Sequence, residues 1–346
     1  MTSFDPAERY VRQSQFGPIG EEGQFRLSQS HVTIMGMGAL GSVAAELMAR
    51  AGVGTLRLID RDVIEPSNLQ RQSLYDESDA AAAMTKVEAA TGHLTRINSS
   101  VMTEAHVVDV TAANVRPLVH GTNLIIDASD NFSLRLLLND VSLELAIPWV
   151  HGGAVGSTGQ VKLFDGRAPC FRCLVREVPN PADVATCDTA GVIAPATHLI
   201  ASLQCSEALK WLTGNRDAVN SDVLSVDLWA NQWRRIGISS SLQSTCPACH
   251  DGRRDFLEAT GPTLQAATSL CGRDAVQISG DGRTIDFDRM AARWRAIGQV
   301  QRTRFFIRLN LTDRQSLTLF RDGRVVVTGV RDTSHARGLS DQYVGS

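Results

Sequence analysis

The stretch HVTIMGMGALGSVAAELMARAGVGTLRLIDRD, residues 31–62, decides the fold of this chain. It begins with a short apolar β-branched run and continues through Gly36, Gly38 and Gly41 into a helix-forming segment. A second apolar run then ends at Asp60. This strand–turn–helix–strand order is the context in which a GxGxxG pattern predicts a nucleotide-binding βαβ unit. The alternative is a plain strand–turn–helix with glycines present by chance.

The three glycines have separate predicted roles. Gly36 permits the tight turn, Gly38 lets the backbone approach a phosphate, and Gly41 lets the helix pack on the strand. The free N–H groups at the start of the helix then form an anion site. Asp60, 19 residues after Gly41, is placed to hold ribose hydroxyls. The pattern predicts an adenine nucleotide but does not decide between a dinucleotide and ATP.

Length and composition narrow the class of protein. The 346 residues suffice for a large core and two domains. The chain has no run of about 18 apolar residues and no charged-then-apolar leader, so we expect neither a membrane span nor a secretory signal. The formal net charge is −3, and residues 251–346 carry 15 Arg against 11 Asp or Glu. This balance is too weakly basic to predict nucleic-acid binding.

The remaining pattern predicts an α/β fold, with a Rossmann-like, mostly parallel sheet and helices on both faces. Further strands are expected at residues 101–107, 123–128, 147–150, 159–164, 223–227 and 233–238. Helices are expected at residues 76–97, 132–145 and 194–213. We assign residues 1–255 to a nucleotide-binding domain and residues 256–346 to a small α+β domain. Because this tail carries no cofactor motif, we interpret it as a recognition or dimerisation module.

Polar side chains follow two of the predicted strands. The loop after the second strand contains Asn68 and Arg71 in the run NLQRQ, which favours a functional face over packing. Asp130 lies in DASDN, after the strand predicted at 123–128. Acidic groups at the carboxyl end of a parallel strand lie where ligands bind, and Mg²⁺ prefers such oxygen donors. Asp130 is therefore a candidate Mg²⁺ ligand, the alternative being an N-cap of the following helix.

Seven cysteines include two CxxC pairs. The pairs are Cys170 with Cys173, and Cys246 with Cys249. Four thiolates in two such pairs fit a tetrahedral Zn²⁺ site, and a closed four-sulfur site is structural rather than catalytic. Chance pairing or a redox CxxC is the alternative. Metal-binding rather than disulfide-forming cysteines favour a cytoplasmic location.

Taken together, residues 8–250 resemble the MoeB/ThiF family, bacterial relatives of ubiquitin-activating enzymes. The motifs RYVRQ, GMGALG, LIDRDVIEPSNLQRQ, TKVEA, DASDN, HGGAVG, CFRC, CDTAGV and CPAC occur in the order that is typical of that family. One departure is Ala39, which stands where the family usually has another glycine. The block after residue 260 lies outside the shared core.

The resemblance implies an ATP-dependent adenylyltransferase that releases pyrophosphate. Its substrate is expected to be the C-terminal Gly-Gly carboxylate of a small ubiquitin-like sulfur-carrier protein, for thiamine, molybdopterin or tRNA-thiolation metabolism. Lys86 and Arg71 suit the β and γ phosphates and Asp130 suits Mg²⁺. Asp60 and Asp62 suit the ribose, with Asn68 as a second polar anchor. A carboxylate is already an anion at neutral pH, so the site needs alignment and charge neutralisation and no general base.

Two further residues gain a role only through this resemblance. Arg12, otherwise a solvated helix charge, is expected to be an arginine finger that reaches a neighbouring subunit, which implies a homodimer. Cys187 aligns with a crossover-loop cysteine that in some members forms a thioester or persulfide link with the carrier. Asp188 next to it raises the thiol pKa and disfavours that role. A sulfurtransferase or cysteine desulfurase is a further expected partner.

Two other classes of function stay open on sequence alone. An NAD-dependent oxidoreductase accounts for Gly36 to Asp60 but leaves Arg71, Lys86, Asp130 and the cysteines without a role. A non-catalytic ATP-binding scaffold that holds a partner is disfavoured by the same intact charged residues.

Overall fold

A computed structural model describes residues 6–177, 179, 187–258, 267–269, 275–278, 280, 285–312, 315–330 and 332–345, without the side chains of residues 6, 7, 187, 188 and 267–269. The chain divides into two compact units, Met1–Ala259 and Thr260–Ser346. The first unit extends past residue 255 because Leu257 is buried in its core and the Phe256 N–H donates to Asp140.

The first unit is built on an eight-stranded sheet. Its strands are β1 (His31–Met35), β2 (Thr55–Ile59), β3 (Met102–His106), β4 (Leu124–Asp127), β5 (Trp149–Val155), β6 (Thr158–Phe164), β7 (Val223–Asp227) and β8 (Gln232–Ile236). They are arranged in the order β3-β2-β1-β4-β5-β6-β7-β8, of which the first five are parallel and the last three antiparallel. The chain leaves β1 towards β2 on one side and later returns to β4 on the other. In open α/β sheets ligands bind outside the carboxyl ends of the strands at such a switch point.

Helices cover both faces of this sheet. They are α1 (Pro6–Ser14), α2 (Gly20–Ser28), α3 (Ala39–Ala51), α4 (Glu77–Ala81), α5 (Lys86–Ile97), α6 (Val115–Val119), α7 (Phe132–Leu145), α8 (Cys187–Ala190), α9 (Ala194–Leu212) and α10 (Ser240–Gln243). One apolar core lies beneath α3, α5 and α9, and a second lies beneath α6 and α7. The predicted Rossmann-like α/β architecture is confirmed.

The helix predicted at residues 76–97 is interrupted. α4 ends at Ala81, and Ala83 adopts a positive φ of 49°, a conformation that breaks an α-helix. The chain then pairs with the loop after β2, since the Ile64 N–H donates to the Met84 carbonyl and Val63 bridges Thr85. This pairing places Lys86 at the first position of α5, facing the end of β2.

In the second unit, the described residues form an antiparallel sheet and two helices. Its strands are β9 (Ala267–Ser269), β10 (Ala275–Ile278), β11 (Gln299–Arg302), β12 (Phe306–Asn310), β13 (Ser316–Phe320) and β14 (Val325–Thr328), in the order β11-β12-β13-β14-β10-β9. Its helices are α11 (Phe287–Arg295) and α12 (Thr333–Tyr343). Trp294, fully buried, packs with the sheet side chains in one apolar core. The small α+β architecture is as predicted. In neither unit do the described residues form a helix with the length and apolarity that crossing a bilayer requires.

Candidate functional site

The three glycines lie between β1 and α3, and each has a distinct geometry. Gly36 has a positive φ of 92°, which favours glycine. A Cβ on Gly41 would lie 1.9 Å from the Gly36 carbonyl oxygen, so the helix packs too closely on the turn for any side chain. A Cβ on Gly38 would meet no atom closer than 3.9 Å. The protein's own packing therefore does not require a glycine there.

The end of β2 carries an acidic pair that contacts a buried lysine. Lys86 Nζ lies 3.0 Å from Asp62 Oδ2 and 3.9 Å from Asp60 Oδ2. Asp60 also accepts hydrogen bonds from the Met37 and Asp62 N–H groups, both at 2.7 Å. Burial raises the pKa of Asp60, while the Lys86 charge and these two donors oppose the rise. Asp60 thereby links the end of β2 to the glycine turn after β1.

The run NLQRQ divides between local and site-facing side chains. Asn68 is buried and its Oδ1 accepts from the Glu65 N–H at 3.1 Å, closing the short 3₁₀ turn Pro66–Asn68. Arg71 is partly exposed and donates to the Ser67 carbonyl at 2.9 Å. Gln72 is buried, its Nε2 is the atom nearest to a Cβ on Gly38, and its Oε1 has no partner among the described residues. Sequence reasoning gave Gln72 no individual role.

Asp130 lies on the loop between β4 and α7, and its side chain is exposed. The N-cap of α7 is Asn131, whose Oδ1 accepts from the Leu134 N–H at 2.9 Å. The alternative role of Asp130 as that cap is therefore wrong. Because β1 and β4 are neighbours, the Asp130 loop and the glycine turn meet at the same edge of the sheet.

A buried ionic network beneath this loop was not predicted. Asp127, fully buried, lies 3.0 Å from His151 Nδ1 and 3.3 Å from Arg135 Nε. Burial disfavours the Asp127 carboxylate, but the bond from His151 and the Arg135 charge outweigh this and lower its pKa. Burial lowers the pKa of His151 because it disfavours the charged imidazolium, and the hydrogen bond and charge of Asp127 oppose this fall. The pairing of β4 with β5 brings His151 next to Asp127, and α7 supplies Arg135.

These features fit a nucleotide and a divalent cation. The first turn of α3 has no side-chain cap, so its N–H groups face the glycine turn as an anion site. Gln72 adds a buried amide next to Gly38, and Asp130 supplies an exposed carboxylate at the neighbouring strand end. Phosphates at a helix N-terminus beside a carboxylate form the ligand set that Mg²⁺ prefers.

The two CxxC pairs form one cluster. The Sγ–Sγ distances are 4.0 Å between Cys170 and Cys173, 3.6 Å between Cys170 and Cys246, and 3.5 Å between Cys173 and Cys249. Four sulfurs around Zn²⁺ at bond lengths of about 2.3 Å stand about 3.8 Å apart, so the geometry fits the metal. Burial raises the pKa of Cys173 to about 12, and a bound cation is what ionises such thiols. The four residues predicted as zinc ligands are thus brought together.

Helix α7 contacts the chain within the first CxxC pair and downstream of the second. Asn139 Oδ1 accepts from the Phe171 N–H at 2.8 Å, within the first CxxC. Asp140 Oδ2 accepts from the Phe256 N–H at 3.0 Å, just after the second. The same helix begins directly after Asp130 and Asn131.

Two predicted residues lie outside this assembly. Helix α1 packs at the carboxyl end of α3, where the Tyr10 ring lies against Gly52 and Gln13 donates to the Ala51 carbonyl. Arg12 on α1 is exposed. Because α1 packs at the carboxyl end of α3, the length of α3, about 20 Å, separates Arg12 from the glycine turn of its own chain. Cys187 begins α8, and its side chain lies outside the described residues.

Fold and site together define a nucleotide-binding α/β protein with a structural four-cysteine cluster. Residues 10–248 match the ThiF family. The chain belongs to this family, which the motifs around Gly36, Arg71 and Asp130 had indicated.

Several characterised proteins are similar over long stretches. The Bacillus subtilis sulfur carrier protein ThiS adenylyltransferase is 39% identical, covering 97% of this chain and 99% of that protein. The SAMP-activating enzyme E1 of Haloferax volcanii is 35% identical over 76% of this chain and 96% of that protein. The adenylyltransferase and sulfurtransferase MOCS3 of Culex quinquefasciatus is 33% identical, but this chain spans only 55% of it. These relatives give no support to the oxidoreductase alternative.

Solved structures show the same fold. The crystal structure of PaaA has a TM-score of 0.58 and 27% identity, covering 68% of this chain and 75% of that chain. Escherichia coli MccB with ATP has a TM-score of 0.61 and 20% identity, over 70% of this chain and 74% of that chain.

Proposed function

We propose that this protein is an adenylyltransferase that activates the C-terminal Gly-Gly carboxylate of a ubiquitin-like sulfur carrier of the ThiS type. The observation that carries the proposal is the near-full-length similarity to a ThiS adenylyltransferase, which spans 97% of this chain and so includes most of both units. The other relatives named above match at most 76% of the chain. The second unit thereby favours the ThiS-type substrate over other carriers.

The reaction is a displacement at phosphorus. A carboxylate oxygen of the carrier attacks the α-phosphorus of ATP, the bond to the bridging oxygen breaks, and pyrophosphate leaves with the electron pair. No proton is removed, since the nucleophile is already ionised at pH 7. The protein has to hold two anions in line and neutralise the charge that builds on the phosphates.

The residues divide this work by position. The uncapped start of α3, at Gly38 and Gly41, receives phosphate through backbone N–H groups. Lys86 supplies a fixed cation, and Asp60 and Asp62, which hold it before ATP binds, lie near the ribose. Arg71 and Asn68 lie on the loop after β2, and we assign Arg71 to the phosphates and Asn68 to a second polar anchor for the nucleotide. Asp130 would hold Mg²⁺, which would supply further neutralisation of the phosphate charge.

Arg12 belongs to a dimeric form of this proposal. It lies at the far end of α3 from its own glycine turn, so it serves a site only in a second copy. A homodimer that exchanges α1 between sites accounts for its exposure. Mixing an Arg12→Ala subunit with a Lys86→Ala subunit should then restore about half a dimer's activity in the mixed dimer, whereas each variant alone is inactive. Failure of mixing to restore activity contradicts the exchange.

Three parts of the proposal concern residues and partners beyond the adenylation site. We assign Cys187, on the family resemblance alone, as the nucleophile that attacks the acyl adenylate, forms a thioester with the carrier and releases AMP. Sulfur then reaches the carrier from a cysteine desulfurase or sulfurtransferase. We place the reaction in the cytoplasm on the basis of the cysteine usage.

The test is exchange of labelled pyrophosphate into ATP. A ThiS-type carrier ending in Gly-Gly should support exchange, and the same carrier without its last glycine should not. Asp130→Asn should lower the rate by about a hundredfold to a thousandfold, whereas the matched change Asp165→Asn, on the turn after β6, should leave it unchanged. Exchange that proceeds equally with both carriers, or ATP binding without any exchange, would contradict the proposal.

A further inference from the structure

The loop that carries Asp130 has its backbone fixed from the buried side. The Ala128 N–H donates to the Met35 carbonyl at 2.9 Å, and the Ser129 N–H donates to Asp127 Oδ1 at 3.0 Å. The Ser129 carbonyl accepts from Arg135 Nη2 at 2.6 Å. The carboxylate of Asp130 therefore extends from a peptide that cannot shift without breaking buried hydrogen bonds.

Gln204 completes this arrangement from a different element. It lies on α9, is fully buried, and its Nε2 donates to the Asp127 carbonyl at 2.7 Å and the Val150 carbonyl at 3.1 Å. Asp127 is the last residue of β4 and Val150 belongs to β5, so one amide spans the point where these strands separate. A Cβ on Gly152 would lie 2.2 Å from Gln204 Cδ, so glycine at this position of β5 makes room for the amide.

Packing alone does not explain a glutamine here. The neighbouring buried positions of α9 are Ile200, Ala201, Cys205 and Ala208, an apolar face that a leucine or methionine would continue. Gln204 Oε1 has no hydrogen-bond partner among the described residues, which is costly for a buried acceptor. The site retains an amide despite this cost, and the benefit lies in the two carbonyls that it holds.

We propose that Gln204 is a positioning residue for the metal-binding carboxylate of Asp130. It fixes the end of β4 against β5, so that the loop presents Asp130 in one place relative to the glycine turn. This inference rests on the proposed function only in assigning Asp130 to the cation. Partners that orient a metal ligand typically change metal affinity by about 10–100-fold when removed.

The experiment measures metal binding directly. Gln204→Met keeps the volume and removes both hydrogen bonds. Binding of Mn²⁺ to the full chain with a non-hydrolysable ATP analogue is followed by electron paramagnetic resonance. We expect the Mn²⁺ dissociation constant to rise about tenfold or more, with the affinity for the metal-free analogue unchanged. Cys205→Ala, one residue along the same buried face, is the matched control and should leave Mn²⁺ binding unchanged.

A second variant acts on the same amide from the strand. Gly152→Ala forces the Gln204 side chain away and should raise the Mn²⁺ dissociation constant in the same way, even if Gln204→Met does not fold. Equal Mn²⁺ affinity in Gly152→Ala and wild type overturns the inference, as does wild-type Mn²⁺ binding by Asp130→Asn. Mn²⁺ binding needs no carrier, so a wild-type protein that binds metal and nucleotide without pyrophosphate exchange refutes the proposed function and leaves this inference standing.

Discussion

Replacing Lys86 with methionine tests whether one lysine stabilises the site before it acts on phosphate. Its Nζ lies 3.0 Å from Asp62 and 3.9 Å from Asp60. At an effective dielectric constant of about 20, these separations correspond to attractions of about 5.5 and about 4.3 kcal/mol. Desolvation of the buried charges and solvent screening at the partly exposed Asp62 cancel much of this sum. We expect Lys86→Met to lower the free energy of unfolding by about 3–5 kcal/mol, the usual cost of leaving a buried charge uncompensated.

A second substitution separates stability from catalysis. Adding Asp60→Asn to Lys86→Met removes the buried carboxylate that lost its cation, so most of the lost stability should return. Pyrophosphate exchange should stay about a thousandfold below wild type in both variants, because the cation of Lys86 no longer faces the phosphates. Urea denaturation of the nucleotide-free protein measures the first quantity and labelled pyrophosphate the second.

The matched control is Lys210→Met. Lys210 also pairs with a carboxylate, Glu207 at 2.6 Å, but its side chain is 33% exposed, so we expect a loss below about 1 kcal/mol and normal exchange. The reasoning is refuted if Lys86→Met unfolds at the wild-type urea concentration, or if Asp60→Asn fails to restore stability. Near-wild-type exchange by Lys86→Met would refute the catalytic role.

Three further experiments test separate parts of the structure. Gly38→Ala should keep wild-type stability but weaken ATP binding in a titration, whereas Gly41→Ala should cost about 1–3 kcal/mol in urea denaturation through overpacking; the reverse order would contradict the assignment. Elemental analysis should give about one zinc per chain. Cys173→Ser should lose this zinc and melt at a lower temperature, whereas Cys205→Ser should keep it. Because the pKa of His151 is lowered below 6.5, its neutral form stabilises the fold above that pH, and stability should fall as the pH drops from 6.5. His151→Asn keeps a hydrogen-bond donor but cannot titrate, so the free energy of unfolding of this variant should fall less than that of the wild type as the pH drops below 6.5. A pH profile identical to that of the wild type would exclude His151 as the cause.

Much of the fold could be predicted because periodicity and turn residues act locally. The strand pattern around Gly36 predicts the parallel sheet from a few neighbouring residues. The two CxxC pairs predict the four-cysteine cluster in the same way. The extent of β5 was underestimated at residues 147–150, since the glycine-bearing run 151–155 becomes a strand only by pairing with β6. The break at Ala83 likewise depends on pairing between loops that are distant in sequence.

The candidate site also contains residues that local motifs predict and residues that only the tertiary structure reveals. Gly38, Lys86 and Asp130 carry chemistry in side chains or turns that a motif reveals. Gln204 lies in a helical apolar pattern, and one amide among leucines gives no signal until the strand ends that it contacts are known. Arg135 reads as an ordinary helix charge for the same reason.

Helix α7 has a consequence beyond either of its ends. Its amino end follows directly on Asp130. About 15 Å further along the axis, Asn139 accepts from Phe171 within the first CxxC pair and Asp140 accepts from Phe256 downstream of the second. One helix thus connects the four-cysteine cluster to the edge of the sheet that carries Asp130. Oxidation of these thiols would therefore lower the activity of the enzyme, although no substrate contacts a cysteine of the cluster.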